Sequence, residues 1–466
     1  MSSSDSDCSP TSSPPPLPAS LLKKRTQTLS ISPPPLKRKR LPGSSSQAST
    51  STPTTPHPTI PSHLSTSAAI EAGRVQITDH LSHFTALLAS HIHAPFPPLL
   101  PQLSIPSYAD LYTSSSHNPN GAHFVVHQHD HPIAGVHYDL RLQTNGTSSA
   151  SWAIMKGLPG DANSTRLGRN ATETRVHCLW NHLIETGSRE TGSLLVWDMG
   201  TYEVLPGREE EERVRRSRAV ETESEGESQS REQVAAGRER GERGGMTEQE
   251  KLAGAFKERK IRLRLHGTRL PRGYTVHMRL SVEDDLEGRA KAAKVAKFGV
   301  KKRSRRFWRR DADAPETSGS EEEEYNDGAS TMMGDYESRV GEAEDGLSAM
   351  EREIREMEDV MVRNTNAYPG ADNTIGSVHQ RRWFLSLDRA GSGFVKQREK
   401  GRVTWVRDVD RPPEKQEDKN RWTYPFYIRG SEHERSIVTG RLGDEILRDE
   451  GVTDFVHRKG WRPILN

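Results

Sequence analysis

The run VHYDLRL, residues 136–142, alternates strictly. Val136, Tyr138, Leu140 and Leu142 fall on one side, and His137, Asp139 and Arg141 on the other. Successive side chains of a β-strand point to opposite faces, so a period of two calls for a strand with one apolar and one polar face. Upstream, HFVVHQHD is also strand-like, its Phe124, Val125 and Val126 following the turn cluster Asn118-Pro119-Asn120-Gly121. Between the two runs, residues 130–135 contain His131-Pro132 and Gly135 and are long enough to reverse the chain. The predicted unit is an antiparallel hairpin with His129 across from His137, about 5 Å apart at Cβ.

The polar side of this hairpin constrains the chemistry. Such alternation ordinarily marks a strand whose polar face lies in water, but a solvated face usually draws Lys, Glu, Thr or Ser. Here two imidazoles, a carboxylate and a guanidinium point at one spot. Imidazole and carboxylate form a metal-ligand pair of mixed nitrogen and oxygen character, and the spot suits a divalent ion holding a phosphate. The remaining histidines of the region, His123, His127 and His131, are expected on exposed faces.

Composition limits how much else can fold. Of 466 residues only 32% are hydrophobic and 6% aromatic. Length alone would suggest about three domains, whereas this composition favours one modest core with long disordered stretches. The net charge of +2 makes any nucleic-acid binding a matter of local patches. The two cysteines, Cys8 and Cys178, exclude a disulfide framework and a cysteine-based zinc site, and fit a reducing compartment. No apolar run approaches the roughly 20 residues of a membrane span, so no membrane partner is expected, and no signal-peptide core is read at the N-terminus.

Residues 1–65 read as a disordered Ser/Pro-rich tail. Its basic clusters Lys23-Lys24-Arg25 and Lys37-Arg38-Lys39-Arg40 are nuclear-localisation candidates, which makes the nucleus the expected compartment. Residues 66–107 form a helical lead-in, with Ile77, Leu81, Phe84, Leu88 and Ile92 at helical spacing and Pro95 as the stop. Within 108–206, strands are predicted at 124–129, 136–143, 151–155 and 194–198, the last followed by a return led by Gly200 into 202–205. A disordered charged insert covers 207–258, and strands resume over 259–282. A second disordered insert, 283–378, carries one amphipathic helix on Leu347, Met350, Ile354, Met357 and Met361. The last strand lies in 379–390, and a C-terminal extension, 391–466, includes a short helix near 439–450. Short strands at regular intervals predict a mainly β fold, an antiparallel barrel or sandwich with a few helices. Trp152, Trp197 and Trp383 sit in alternating strands and are assigned to the core.

The ordered blocks HQHD, HYDLRL, SWAIMKG, RVHCLWNH, LLVWDMGTYEV, LRLHG, GYTVHMRL and RRWFLSLDR resemble the 3′-phosphoesterase domain of bacterial ligase D. The resemblance covers residues 120–206, 260–280 and 381–389. It implies a small antiparallel β-barrel metalloenzyme, usually manganese-dependent, that removes a 3′-terminal ribonucleoside and then the 3′-phosphate it leaves. By position it makes His129, His137 and Asp139 the metal ligands and Arg141 the phosphate contact. His182 of WNHLIET takes the place of the family's second-segment histidine, with His177 as the competing assignment. The chain departs from the family around that segment: Asn181 replaces an aspartate, Leu183 a proline, and Thr186 stands at the tyrosine position. The loop between the metal histidines is longer than usual, and the glycine-rich stretch is reduced to SRETGS. No residue matches the family's N-terminal arginine, aspartate and glutamate.

The expected cofactor is Mn²⁺. Zn²⁺ or Co²⁺ also suits two imidazoles and a carboxylate better than Mg²⁺, which prefers oxygen ligands. The expected activity is 3′-end processing in DNA repair, with Arg141 clamping the phosphoryl oxygens and His182 giving a proton to the leaving oxygen. Expected partners are the 3′ ends of DNA or RNA/DNA, with repair proteins recruited through the inserts to a monomeric chain. The competing function class is a non-catalytic end-binding or scaffold module that keeps the fold.

Overall fold

A computed structural model of the protein describes residues 66–208, 213, 245–305, 360–399, 401–408 and 420–465. All of them belong to one compact unit, residues 58–466. The tail 1–65 with its basic clusters, most of the first charged stretch, and residues 347–357 of the predicted amphipathic helix lie outside the described residues.

Three helices lead in: α1 (Thr66–Glu71), α2 (His80–Ser90) and α3 (Ile105–Ser115). Asp79 caps α2 by accepting the Ser82 N–H at 2.9 Å, and Ser104 caps α3 from the Ser107 N–H. The strands β1 (His123–His131), β2 (Gly135–Gln143), β3 (Ser148–Ile154) and β4 (Gly168–Glu173) follow. Next come β5 (His177–Cys178), the 3₁₀ turn Leu179–Leu183, β6 (Thr186–Ser188) and the long β7 (Gly192–Val204). The chain continues with α4 (Glu248–Lys257), β8 (Lys260–Gly267), β9 (Thr275–Arg279) and α5 (Val282–Arg305). It ends with β10 (Arg382–Leu387), the hairpin β11 (Phe394–Glu399) and β12 (Arg402–Arg407), and α6 (Gly443–Asp449). No helix among the described residues is long and apolar enough to cross a membrane.

The strands pair in the order β1-β2-β3-β4-β10-β9-β8-β7, and β7 pairs back onto β1, which closes an eight-stranded antiparallel barrel. The expectation of a small barrel with a few helices therefore holds. The apolar side of VHYDLRL lines the barrel interior, where Tyr138, Leu140 and Leu142 meet Trp152, Trp197 and Trp383, all fully buried. Each such side chain contributes about 1.5–3 kcal/mol by leaving water.

The outer face of β1 and β7 is covered as well. Val125, Leu194, Val196 and Met199 pack there against Ile70, Phe84, Leu88 and Tyr108 of the lead-in helices. One expectation is overturned: His123, His127 and His131 are not exposed but retain 0%, 0% and 8% of their surface. Alternation within one strand reports that its two faces differ, and says nothing of what later packs on the polar one.

Two further expectations are corrected. Gly200 leads no return; β7 runs through it without a break. A side chain at Gly200 would place its Cβ 2.0 Å from the His266 carbonyl oxygen, so glycine serves the close approach of β8, where Gly200 pairs with Gly267. The charged stretch assigned to 207–258 ends in a helix, α4. Thr247 and Glu250 form a capping box at its start, and Leu252 and Phe256 are buried in the barrel core. Charge composition masked two apolar residues placed one helical turn apart.

Glu173, fully buried at the end of β4, anchors the region where the chain re-enters the barrel. It accepts hydrogen bonds from Arg381 Nε (2.8 Å), Arg381 Nη2 (3.1 Å), Trp383 Nε1 (2.9 Å) and the Val378 N–H (2.9 Å). Glu173→Ala leaves the buried Arg381 with Asp285 as its remaining carboxylate, at 2.6 Å, and should destabilise the fold by about 3 kcal/mol or more. Urea unfolding checks this; a loss within the few tenths typical of surface changes would contradict the anchoring role.

Candidate metal centre

The β1–β2 hairpin has the register that its sequence predicts. His129 pairs with His137, His127 with Asp139, and Val125 with Arg141. Its turn is held by His131, whose Nδ1 accepts the N–H groups of Ile133 and Ala134 at 3.1 Å each. An accepting imidazole must be neutral, and burial pushes His131 down to about 3. This histidine shapes the loop.

His129, His137 and Asp139 each offer one ligand atom, and these atoms lie within 4.8 Å of one another. His129 Nδ1 stands 3.4 Å from Asp139 Oδ2, and His137 Nε2 stands 3.5 Å from Oδ1. The far nitrogens are engaged elsewhere: His129 Nε2 donates to the Thr191 carbonyl and His137 Nδ1 to the Gly135 carbonyl, both at 2.8 Å. A carbonyl only accepts, so each ring carries its proton on the far side and turns a lone pair towards Asp139, the arrangement that orients metal-ligating histidines. Thr191 is held by the tight approach of Gly192, where a Cβ would fall 1.8 Å from the Asp130 carbonyl oxygen.

Arg141 lies alongside, with Nη2 3.6 Å from Asp139 Oδ2 and Nη1 donating to the Asn181 carbonyl at 3.3 Å. Burial opposes ionisation of Asp139, but His137, His129 and Arg141 together hold its carboxyl far below the usual carboxylate range. Burial likewise disfavours charge on His129, yet Asp139 and the Thr191 carbonyl outweigh it and raise its pKa, whereas for His137 burial prevails and lowers it.

The groups around this spot carry buried polar atoms with no hydrogen-bond partner: Asp139 Oδ1, Arg141 Nε, both ring nitrogens of His127, His177 Nδ1, His182 Nε2 and Ser151 Oγ. Folded proteins satisfy more than about 90% of buried polar groups. So many unmet atoms in one locality fit a site whose complement is a cation and an oxyanion, and the donor set of two neutral imidazoles and a carboxylate suits a first-row divalent ion.

The two second-segment candidates differ in setting. His182 is fully buried, and its Nδ1 lies 2.8 Å from His123 Nδ1, so the two rings share one proton. Burial pushes both down, His123 to about 3. His177, on β5 opposite Ser149, is half-buried and lies in the field of both Arg141 and Asp139. The expected His182 is thus held in a closed pair, and the alternative His177 is the one that reaches solvent.

Sequence reasoning missed Glu71 at the end of α1. Burial raises its carboxyl above the usual range against the pull of His129 and Arg141. The short AAIEAG segment around it carries no spacing relation to the hairpin, and no sequence signal marks it. His127 was missed as well, since a histidine between two others on a strand reads as exposed.

With this geometry in view, comparison with known proteins is informative. Residues 127–278 match the family model of the DNA ligase D 3′-phosphoesterase domain. Over 94 residues the chain is 33% identical to the multifunctional non-homologous end joining protein LigD of Mycolicibacterium smegmatis, a stretch that is 20% of this chain and 12% of that protein. The chain therefore spans a small part of that relative's length. The matched residues include most of the β1–β2 hairpin with its candidate ligands, His177 and His182, and strands β7 to β9 of the barrel. Residues 127–278 of this chain are thus similar to the 3′-phosphoesterase domain of the DNA ligase D family.

Proposed function

We propose that the chain is a metal-dependent 3′-end-processing phosphoesterase that removes a 3′-phosphate or a 3′-terminal ribonucleotide from DNA or RNA/DNA ends during repair. One observation carries this reading: the lone pairs of His129 and His137 are turned onto the Asp139 carboxylate, with Arg141 alongside, amid buried polar atoms that lack partners. His129, His137 and Asp139 would hold the ion, Mn²⁺ in the first instance and Zn²⁺ or Co²⁺ as substitutes. Bound there, a divalent ion supplies Lewis-acid polarisation of the phosphoryl group and a more acidic water.

The chain's own residues do the rest. The planar Arg141 guanidinium matches two phosphoryl oxygens and balances charge that builds on them in the transition state. His177 is neutral in the free protein. A phosphate dianion beside it favours its imidazolium, and this half-buried ring can then give a proton to the leaving oxygen. His182 is held by His123 and lies in the field of Arg141. His177→Ala is therefore expected to lower kcat by about 10²-fold or more, the usual range of general acid–base catalysis, and His182→Ala by clearly less. The reverse ranking would return the proton donor to His182.

None of these groups reads a base edge, so affinity should come from phosphate contacts and fall steeply with salt. A panel of 3′-terminated oligonucleotides tests the reading. Rates should follow the 3′ group and the 2′-hydroxyl and vary little with the terminal base. Equal cleavage of internal linkages would instead indicate a general nuclease.

A further inference from the structure

A segment well outside the family match packs against His177. Around residue 368 the chain, returning from the second charged stretch, docks along β5. The Val176 N–H donates to the Asn366 carbonyl (2.9 Å), the Tyr368 N–H donates to the Val176 carbonyl (3.0 Å), and Val176 and Ala367 form a parallel bridge. Asn366, buried and in the left-handed region (φ 53°), ties the turn with Nδ2 to the Thr174 carbonyl (3.3 Å) and Ser377 Oγ (3.0 Å). Further along, the Asp372 N–H donates to Ser148 Oγ at 2.8 Å. The backbone is thus fixed on both sides of Tyr368.

The side chain of Tyr368 nevertheless stays 39% exposed. Its ring centroid lies 4.8 Å from that of His177, inclined at 57°, and the Arg175 guanidinium carbon lies 5.8 Å from the tyrosine ring. An aromatic face held rigidly at the surface, flanked by a cation and adjoining a group that serves a phosphate, is the arrangement proteins use to seat single-stranded nucleic acid. The base stacks and the cation follows the backbone. Every base has a π face, so such a platform adds affinity without sequence preference, in keeping with the absence of base-edge readers.

We propose that Tyr368 and Arg175 form a nucleotide subsite, in which the Tyr368 ring stacks on the base of the nucleotide bearing the phosphate held beside His177, and Arg175 contacts the neighbouring backbone phosphate. This subsite rests on the phosphoesterase reading and adds to it a strand-gripping element supplied by residues beyond the matched domain.

The experiment uses the full chain and two oligonucleotides, each 3′-phosphorylated, one with a normal terminal nucleoside and one with an abasic terminal sugar. Tyr368→Ala should raise KM by about tenfold on the base-bearing end, the lower part of the range for base–aromatic stacking, and leave KM on the abasic end where it was. Tyr368→Phe, which keeps the ring, should restore the wild-type value. Fluorescence anisotropy of the same oligonucleotides in EDTA should show the same contrast in Kd, independently of turnover. An equal rise on both ends, or no rescue by Tyr368→Phe, would mean that Tyr368 only anchors its segment, and the subsite would be overturned while the phosphoesterase reading stood. A wild-type chain that neither binds nor processes either oligonucleotide would overturn both.

Discussion

Asp139→Asn is expected to remove metal binding and to lower turnover by about a thousandfold or more. The amide keeps the shape of the side chain but replaces the one anionic ligand of the centre with a neutral group, leaving two imidazoles that converge on nothing charged. Metal polarisation of a phosphoryl oxygen is worth several kcal/mol, and each 1.4 kcal/mol is about tenfold in rate. The variant should still fold, because the apolar face of β2 and the barrel interior behind it are untouched. Titration with Mn²⁺ should show heat in the wild type and none in the variant, whose metal-free form should still melt cooperatively, at a lower temperature because Arg141 loses its buried counter-charge. Undiminished turnover, insensitive to chelation, would remove the basis for a metal centre here.

Arg141 carries the second large effect. Its side chain is 4% exposed, reaches Asp139 and the Asn181 carbonyl, and has one nitrogen left without a partner. Arg141→Lys keeps the charge but loses the fork that spans two phosphoryl oxygens, and should lower kcat/KM by about 10²-fold or more. Arg141→Ala should lower it further, and should also let the Asp139 carboxyl titrate at a higher pH, since one of the charges that depress it is gone. Metal affinity should survive in the lysine variant, which separates this role from that of the ligands. Full activity in Arg141→Lys would make the residue a counter-ion for Asp139 and nothing more.

Much of the site was legible because it is local. The seven residues VHYDLRL state both the strand and its two faces, and the turn residues between 130 and 135 fix a register that sets His129 against His137. Periodicity, turn chemistry and ligand type all act within twenty residues. The barrel was legible in outline for the same reason, strand by strand, but its closure was not. The pairing of β1 with β7 requires β7 to pass straight through Gly200, a residue that in sequence reads as a break. The covering of the outer face was equally hidden. The helices α1 to α3 cover Val125, Val196 and Met199, and Glu71 of α1 lies in the field of His129 and Arg141, through packing that no spacing encodes. The hydrogen bond that pairs His182 with His123 joins partners 59 positions apart in the chain, and no local pattern announces it. Tyr368 meets His177 from further away still along the chain. What sequence patterns report is the period of one element; what they leave out is which element lies on top.

Release of inorganic phosphate from a 3′-phosphorylated oligonucleotide by the purified full chain tests the assignment most directly. The reaction is followed with Mn²⁺ present, after chelation with EDTA, and after Mn²⁺ is restored. The metal-centred phosphoesterase predicts release that stops on chelation and returns with the ion, and that Asp139→Asn does not support under any of the three conditions. Absence of release by the wild-type protein with Mn²⁺, Zn²⁺ or Co²⁺, together with unaltered binding of the same oligonucleotide, would contradict it and leave an end-binding module in its place.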